Sequence, residues 1–235
     1  NDRKMAMLTT DPKVIGLAAL LGIGPTLVWL WFWLRQDIQQ PEPKGLITAL
    51  FVLGMISVLF VIPLEKIVES NFTDAGTRFV LWASIEELMK FLVVIFALYK
   101  SNRVDEPIDW AVFMITAALG FAALENTLFL IKPLSLNDTV VGLLTGNLRF
   151  LGATLLHAVA SGFIGIGMGL SYYMGELSKK LYAVLGILLA IALHSGFNFF
   201  IMDESGNNII RVLGFLWVVT IIVMLLFEKL RRMGN

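Results

Sequence analysis

The chain of 235 residues contains no cysteine, which excludes a disulfide framework, a thiol nucleophile and any thiolate metal site. Charge is scarce as well: Asp, Glu, Lys and Arg make up 15% of the residues and balance to a formal net charge of zero. That balance predicts no polyanionic partner, nucleic acid included. There is no Gly-x-Ser-x-Gly elbow and no His-Glu-x-x-His motif, which argues against a serine hydrolase or a zincin-type site. No soluble domain, linker or low-complexity tract interrupts the sequence.

What the chain has instead is apolar length. It is 57% hydrophobic, with a mean hydropathy of +0.81, far from a soluble domain of this size. Seven apolar runs are long enough to cross a bilayer: residues 14–34, 45–63, 78–99, 109–131, 149–173, 181–202 and 209–227. The first is too long for a signal-peptide core and lacks a small-residue cleavage site after it, so it reads as an anchor. The predicted fold is all-α, a polytopic transmembrane bundle of about seven spans, forming one integral membrane domain over residues 1–235.

Seven spans put the N-terminus and the loops after spans two, four and six on one side, called A, and the C-terminus on side B. Side B carries Arg35, Lys44, Lys100, Arg103, Lys179, Lys180, Lys229, Arg231 and Arg232. Side A carries Lys66, Arg78, Lys132, Arg149 and Arg211, plus Arg3, Lys4 and Lys13 in the tail, so the whole count nearly balances, but the loops and the basic C-terminus favour side B inside. The predicted location is a cell membrane with side A extracytoplasmic.

Three acids and two histidines lie inside the apolar runs at one depth: Glu86, Glu87, Glu125, His157 and His194. The last two are the only histidines in the chain. Ionisable groups in a membrane are expensive, face the protein interior and mark function. Counted from the predicted span ends, all five lie roughly 10–12 Å below surface A, on four successive spans. Stray polar residues would not match depth across antiparallel helices, so the five are predicted to converge on one site open to side A. Lys90 shares a helix face with Glu86 and Glu87, Ser161 lies one turn beyond His157, and Asn198 one turn beyond His194.

Carboxylates, imidazoles and an amide suit several chemistries. A carboxylate can serve as general base on water, with a histidine and Asn198 stabilising the charge that develops. Both imidazoles with Glu87 and Glu125 can instead ligate a divalent metal, zinc being favoured, that activates water. A transporter or channel with a Glu/His proton pathway would use the same residue types. Such a protein, however, should carry acids alternating between the two surfaces.

The ordered motifs Glu86-Glu87-Leu-Met-Lys90, Phe121-Ala-Ala-Leu-Glu125-Asn126, His157 and His194-Ser-Gly-Phe-Asn198 resemble those of the PrsW family of membrane proteases, which is similar to the CAAX prenyl endopeptidases. Glu125 stands where the prenyl endopeptidases place a histidine, and Lys90 follows the second Glu by three positions; both favour the PrsW branch. The resemblance spans residues 78–202, a four-helix catalytic core. It implies peptide-bond hydrolysis of a single-span membrane protein, such as an anti-sigma factor, at the bilayer. By motif, Glu86 and Glu87 would be the catalytic pair, Glu125, His157 and His194 their partners, and Asn198 an oxyanion or orienting group. Two side A connections, residues 64–77 and 132–147, are semi-apolar, and one or both are predicted to lie at the interface over the site as short helices.

Overall fold

The computed structural model describes residues 11–37, 40–99, 101, 103–135, 152–201 and 209–234. Among them are seven helices and no strand: α1 Pro12–Leu34, α2 Lys44–Asn71, α3 Ala75–Ala97, α4 Asp109–Ser135, α5 Thr154–Leu170, α6 Glu176–Ile201 and α7 Ile209–Gly234. Only closed hydrogen-bonded elements can cross hydrocarbon, and helices satisfy every backbone group internally. Five of the seven, α1, α2, α4, α6 and α7, are long and apolar enough to span a membrane. Helix α3 has the length, but Arg78, Glu86, Glu87 and Lys90 interrupt its apolar run. Helix α5 has 17 residues, at the short end of what a bilayer needs. Phe60, Phe96, Leu188 and Leu225 project outward from the bundle, as lipid-facing residues do.

Two helices form the centre. Buried residues run round most of α4 from Asp109 to Leu134, and of α5 from Thr154 to Gly169. Helices α1, α2 and α5 all pack against α4; α6 and α7 pack against α5, and α3 closes the bundle between α2 and α6. At the α2–α4 crossing, Gly54 faces the Ala117 carbonyl while Gly120 faces the Phe51 carbonyl. A Cβ at either position would collide with backbone, so the close approach of the two helices depends on glycine. Helices α6 and α7 stand apart over an apolar cavity of about 690 Å³, with Phe163 of α5 contributing to its wall.

The span ends differ from those expected. Helix α2 runs through Pro63 to Asn71, so residues 64–71 continue a membrane helix and do not form a separate interfacial one. Proline is tolerated here because helices in membranes re-satisfy the freed carbonyl locally, and Leu64-Glu65-Lys66-Ile67 are adequate helix formers. The connection to α3 shrinks to a tight hairpin. Phe72 caps α2, and Asp74 caps α3 by accepting a 2.7 Å hydrogen bond from the Thr77 amide. The second expected cover, residues 132–147, begins inside α4 and otherwise lies outside the described residues. At the opposite end of the bundle, Asp37, Glu42 and Asp109 form an acidic group. There Asp109 Oδ2 accepts the amides of Asp105 and Glu106 at 2.9 and 2.7 Å.

Candidate active site

Glu86, Glu87 and Lys90 fall on the inner face of α3 because spacings of three and four bring side chains together on a helix. Lys90 is fully buried, 0% exposed. Its Nζ lies 2.8 Å from Glu87 Oε1, 3.3 Å from Glu86 Oε2 and 2.8 Å from His157 Nδ1, and 4.4 Å from the centre of the Phe121 ring. An ammonium offers only donors. His157 Nδ1 must therefore accept from it, which puts the imidazole proton on Nε2. That nitrogen faces Glu125 Oε2 at 3.0 Å, so the 157 ring is fixed at both ends.

His194 is fixed by the same logic from the other direction. Its Nδ1 lies 2.8 Å from Glu87 Oε1, and a carboxylate only accepts, so the proton sits on Nδ1 and the Nε2 lone pair is directed elsewhere. Nε2 lies 3.8 Å from Glu86 Oε2. Glu87 is fully enclosed, with Ser161 Oγ donating to its second oxygen at 2.6 Å. The two imidazoles meet edge to face with ring centres 5.0 Å apart.

The structure thus brings Glu86, Glu87, Glu125, His157 and His194 together, from α3, α4, α5 and α6. Asn198 follows His194 by one turn and is half-buried. Asn126, next to Glu125, donates to Thr154 Oγ1 at 2.9 Å and ties α4 to the start of α5. One acid was not foreseen. Glu65 of α2 lies near Glu86 and Glu125, and its backbone carbonyl accepts from Trp82 Nε1 of α3 at 3.2 Å. The sequence signal for it was present, an acid within a helix-forming run, but the span had been ended at Pro63.

The arrangement suits a cation. Glu86, His157 and His194 each offer one ligand atom, all within 4.8 Å of one another; Glu86 Oε2 is 3.8 Å from both His157 Nδ1 and His194 Nε2. Ligands bound tetrahedrally at zinc distances stand about 3.4 Å apart, so small inward movements close the triad, with Lys90 releasing the His157 lone pair. The grouping takes Glu86 where the sequence pointed to Glu87 and Glu125. These two instead contact the far nitrogens of the histidines, the position from which carboxylates orient metal-binding imidazoles. Glu86, Glu87 and Glu125 share the cluster with one lysine, an excess of negative charge that a divalent ion would offset.

Comparison with known proteins agrees with this chemistry. The model of the PrsW family of intramembrane metalloproteases matches residues 42–227, which includes all of these side chains. The chain is similar to Protease PrsW of Oceanobacillus iheyensis, 30% identical over 211 residues, covering 85% of this chain and 91% of that one. It is likewise similar to Protease PrsW of Shouchella clausii, 28% identical with 86% and 93% covered. For Protease PrsW of Bacillus subtilis the identity is 25%, with 83% and 87% covered. No solved structure matches the chain. With a helical bundle that spans the membrane, a buried Glu/His cluster and a family match over most of its length, the chain belongs to the PrsW family of intramembrane metalloproteases.

Proposed function

We propose that the protein hydrolyses a peptide bond of a single-span membrane protein, such as an anti-sigma factor, close to the extracytoplasmic face of a cell membrane. Residues 78–202 supply the catalytic core, and Glu86, His157 and His194 hold a zinc ion. The observation that carries this reading is the pair of 3.8 Å separations from Glu86 Oε2 to the two imidazole nitrogens. A zinc ion held there would supply Lewis-acid polarisation of the scissile carbonyl and would lower the pKa of a bound water toward neutrality.

The protein side of the reaction follows from exposure. Glu87 is fully buried and bound on both oxygens, so its task is to orient His194. Glu125 is the open acid: its side chain is 20% exposed, against 5% for Glu86 and 0% for Glu87. It is the group that water and a substrate peptide can reach. Glu125 therefore takes the proton from the attacking water and returns it to the leaving amine as the C–N bond breaks. Asn198, one turn beyond His194, donates to the carbonyl oxygen as it gains negative charge.

The side A assignment rests on the basic loops of side B. The single-span substrate rests on the site's place within the bundle, where a soluble chain has poor access. Purified protein in a lipid nanodisc, offered single-span peptides, is expected to cut them, with cleavage abolished by chelation and restored by zinc. Full activity in protein shown by elemental analysis to be metal-free would reject the metal centre and leave a glutamate mechanism.

A further inference from the structure

Helices α6 and α7 follow one another in sequence, yet they separate around the apolar groove whose wall includes Phe163 of α5. Leu189, Phe200 and Phe215 line it and are each more than half exposed, so the groove opens outward from the bundle. In a membrane that opening faces hydrocarbon. On α6 the lining runs from Leu189 to Phe200, and on α7 from Arg211 to Ile222. Each stretch is about 16 Å long at ~1.5 Å per residue. The hydrocarbon core of a bilayer is about 30 Å thick, so the groove is as deep as one leaflet. A transmembrane helix docked alongside would use about twice that depth.

The two ends of the groove differ. Leu189 and Ile222 lie at the inner end. Arg211 stands at the outer end, in the first turn of α7, where no acidic residue accompanies it. Its side chain is exposed, and none of the ion pairs among the described residues includes it. The helix dipole is positive at the same point, and a guanidinium fork matches two phosphate oxygens. An apolar slot one leaflet deep and headed by a cation has the polarity of a phospholipid. We propose that the groove between α6 and α7 binds a phospholipid of the side A leaflet, with its phosphate on Arg211 and an acyl chain along Leu193, Phe197 and Leu216. That chain backs the helix that carries His194, because Leu193 and Phe197 stand beside it on α6. The proposal needs neither the metal nor the cleavage reading.

The test titrates the purified full chain in detergent with dioleoylphosphatidylglycerol and counts bound lipid by native mass spectrometry. One lipid per chain is expected to bind in preference to others. Dioleoylglycerol, which has the same chains but no phosphate, should bind about fivefold more weakly, the worth of one interfacial cation. Arg211→Gln should weaken phosphatidylglycerol by the same factor and leave dioleoylglycerol unchanged, while Arg211→Lys should keep most of the affinity. Gly196 lines the groove, and a Cβ added there meets nothing within 4 Å. Gly196→Leu should therefore occupy the slot and abolish binding of both lipids at concentrations that saturate the wild type. Its thermal midpoint without lipid should stay at or above the wild-type value, since leucine is the better helix former. Equal affinity of the wild type for the two lipids overturns the proposal, as does wild-type binding of phosphatidylglycerol in Arg211→Gln or Gly196→Leu. Retained lipid in Gly196→Leu with a raised KM for a single-span peptide would also overturn it, by assigning the groove to the substrate.

Discussion

His194 donates from Nδ1 to Glu87 Oε1 across 2.8 Å, and this one contact sets which face of the imidazole looks toward Glu86. Glu86 and Glu87 are neighbours in sequence, about 100° apart around the helix. One His194 nitrogen meets each of them. The two glutamates consequently make different contacts although they look equivalent in the motif.

That division separates two kinds of loss. Glu87→Gln keeps the size of the side chain but removes the anion that fixes the His194 tautomer. It should lower zinc affinity and cleavage together, by about 10–100-fold. Glu125→Gln should retain more of the zinc yet lower kcat by about 10²–10⁴, the usual contribution of a general base. Metal content and single-turnover rates of the two variants check this. Equal metal loss in both would place Glu125 in the ligand set.

Lys90 makes a prediction about folding more than about chemistry. A fully buried ammonium between Glu86 and Glu87 is tolerable only as part of the set, and removing one partner of a buried charge network leaves the others uncompensated. Lys90→Met should destabilise the protein by about 3–5 kcal/mol. A double variant, Lys90→Met with Glu87→Gln, should recover part of that loss. Thermal unfolding in detergent reads both, and a Lys90→Met protein as stable as wild type would show that the carboxyl groups do not need the ammonium.

The convergence of these groups was legible because ionisable residues stand out in apolar runs, and matched depth on successive spans allowed few arrangements. It survived span ends that were off by as much as eight residues, from Pro63 to Asn71 in α2. The reason is that relative level along the bundle matters more than where each helix stops. Glu65 was lost by that same boundary, since a proline taken as a terminus placed it in a loop. The grouping of Glu86 with both histidines was not legible at all: neighbouring residues point in different directions, and only the rotation of α3, fixed by packing against α2 and α6, decides which one sits between the two rings.

The crossing of α2 and α4 connects packing to the site, because α2 carries Glu65 and α4 carries Glu125. Gly120→Ala places a methyl group against the Phe51 carbonyl, and Gly54→Ala places one against the Ala117 carbonyl. Neither neighbour is a flexible side chain, so the helices must separate. Each substitution should cost about 1–3 kcal/mol, the usual penalty of overpacking. Gly16→Ala, where an added Cβ meets nothing within 4 Å, should be close to neutral. Unfolding midpoints for the three variants check the contrast, and equal midpoints would mean the crossing is not close-packed in the membrane.

The acidic group at the other end of the bundle contributes to the response to pH. Burial, together with repulsion from Asp109, raises the Glu42 carboxyl from its ordinary 4.5 to about 8. Burial, with repulsion from Glu106, raises Asp37 from 3.8 to about 6. An acid raised in this way binds its proton more tightly when folded than when unfolded. Its contribution to stability is therefore fully present below the unfolded value and is lost as pH climbs through the folded one. The thermal midpoint should fall as pH rises from about 5 to about 8. Glu42→Gln should flatten part of that slope and exceed the wild type at the alkaline end. Asp37→Asn should flatten mainly the more acidic part, since Asp37 finishes titrating earlier. Because both residues lie at the end of the bundle away from Glu86 and the histidines, neither variant should alter zinc affinity. A wild-type midpoint that stays level across this range would show that the group is not buried as described, and a slope unchanged by Glu42→Gln would assign the pH dependence to other groups.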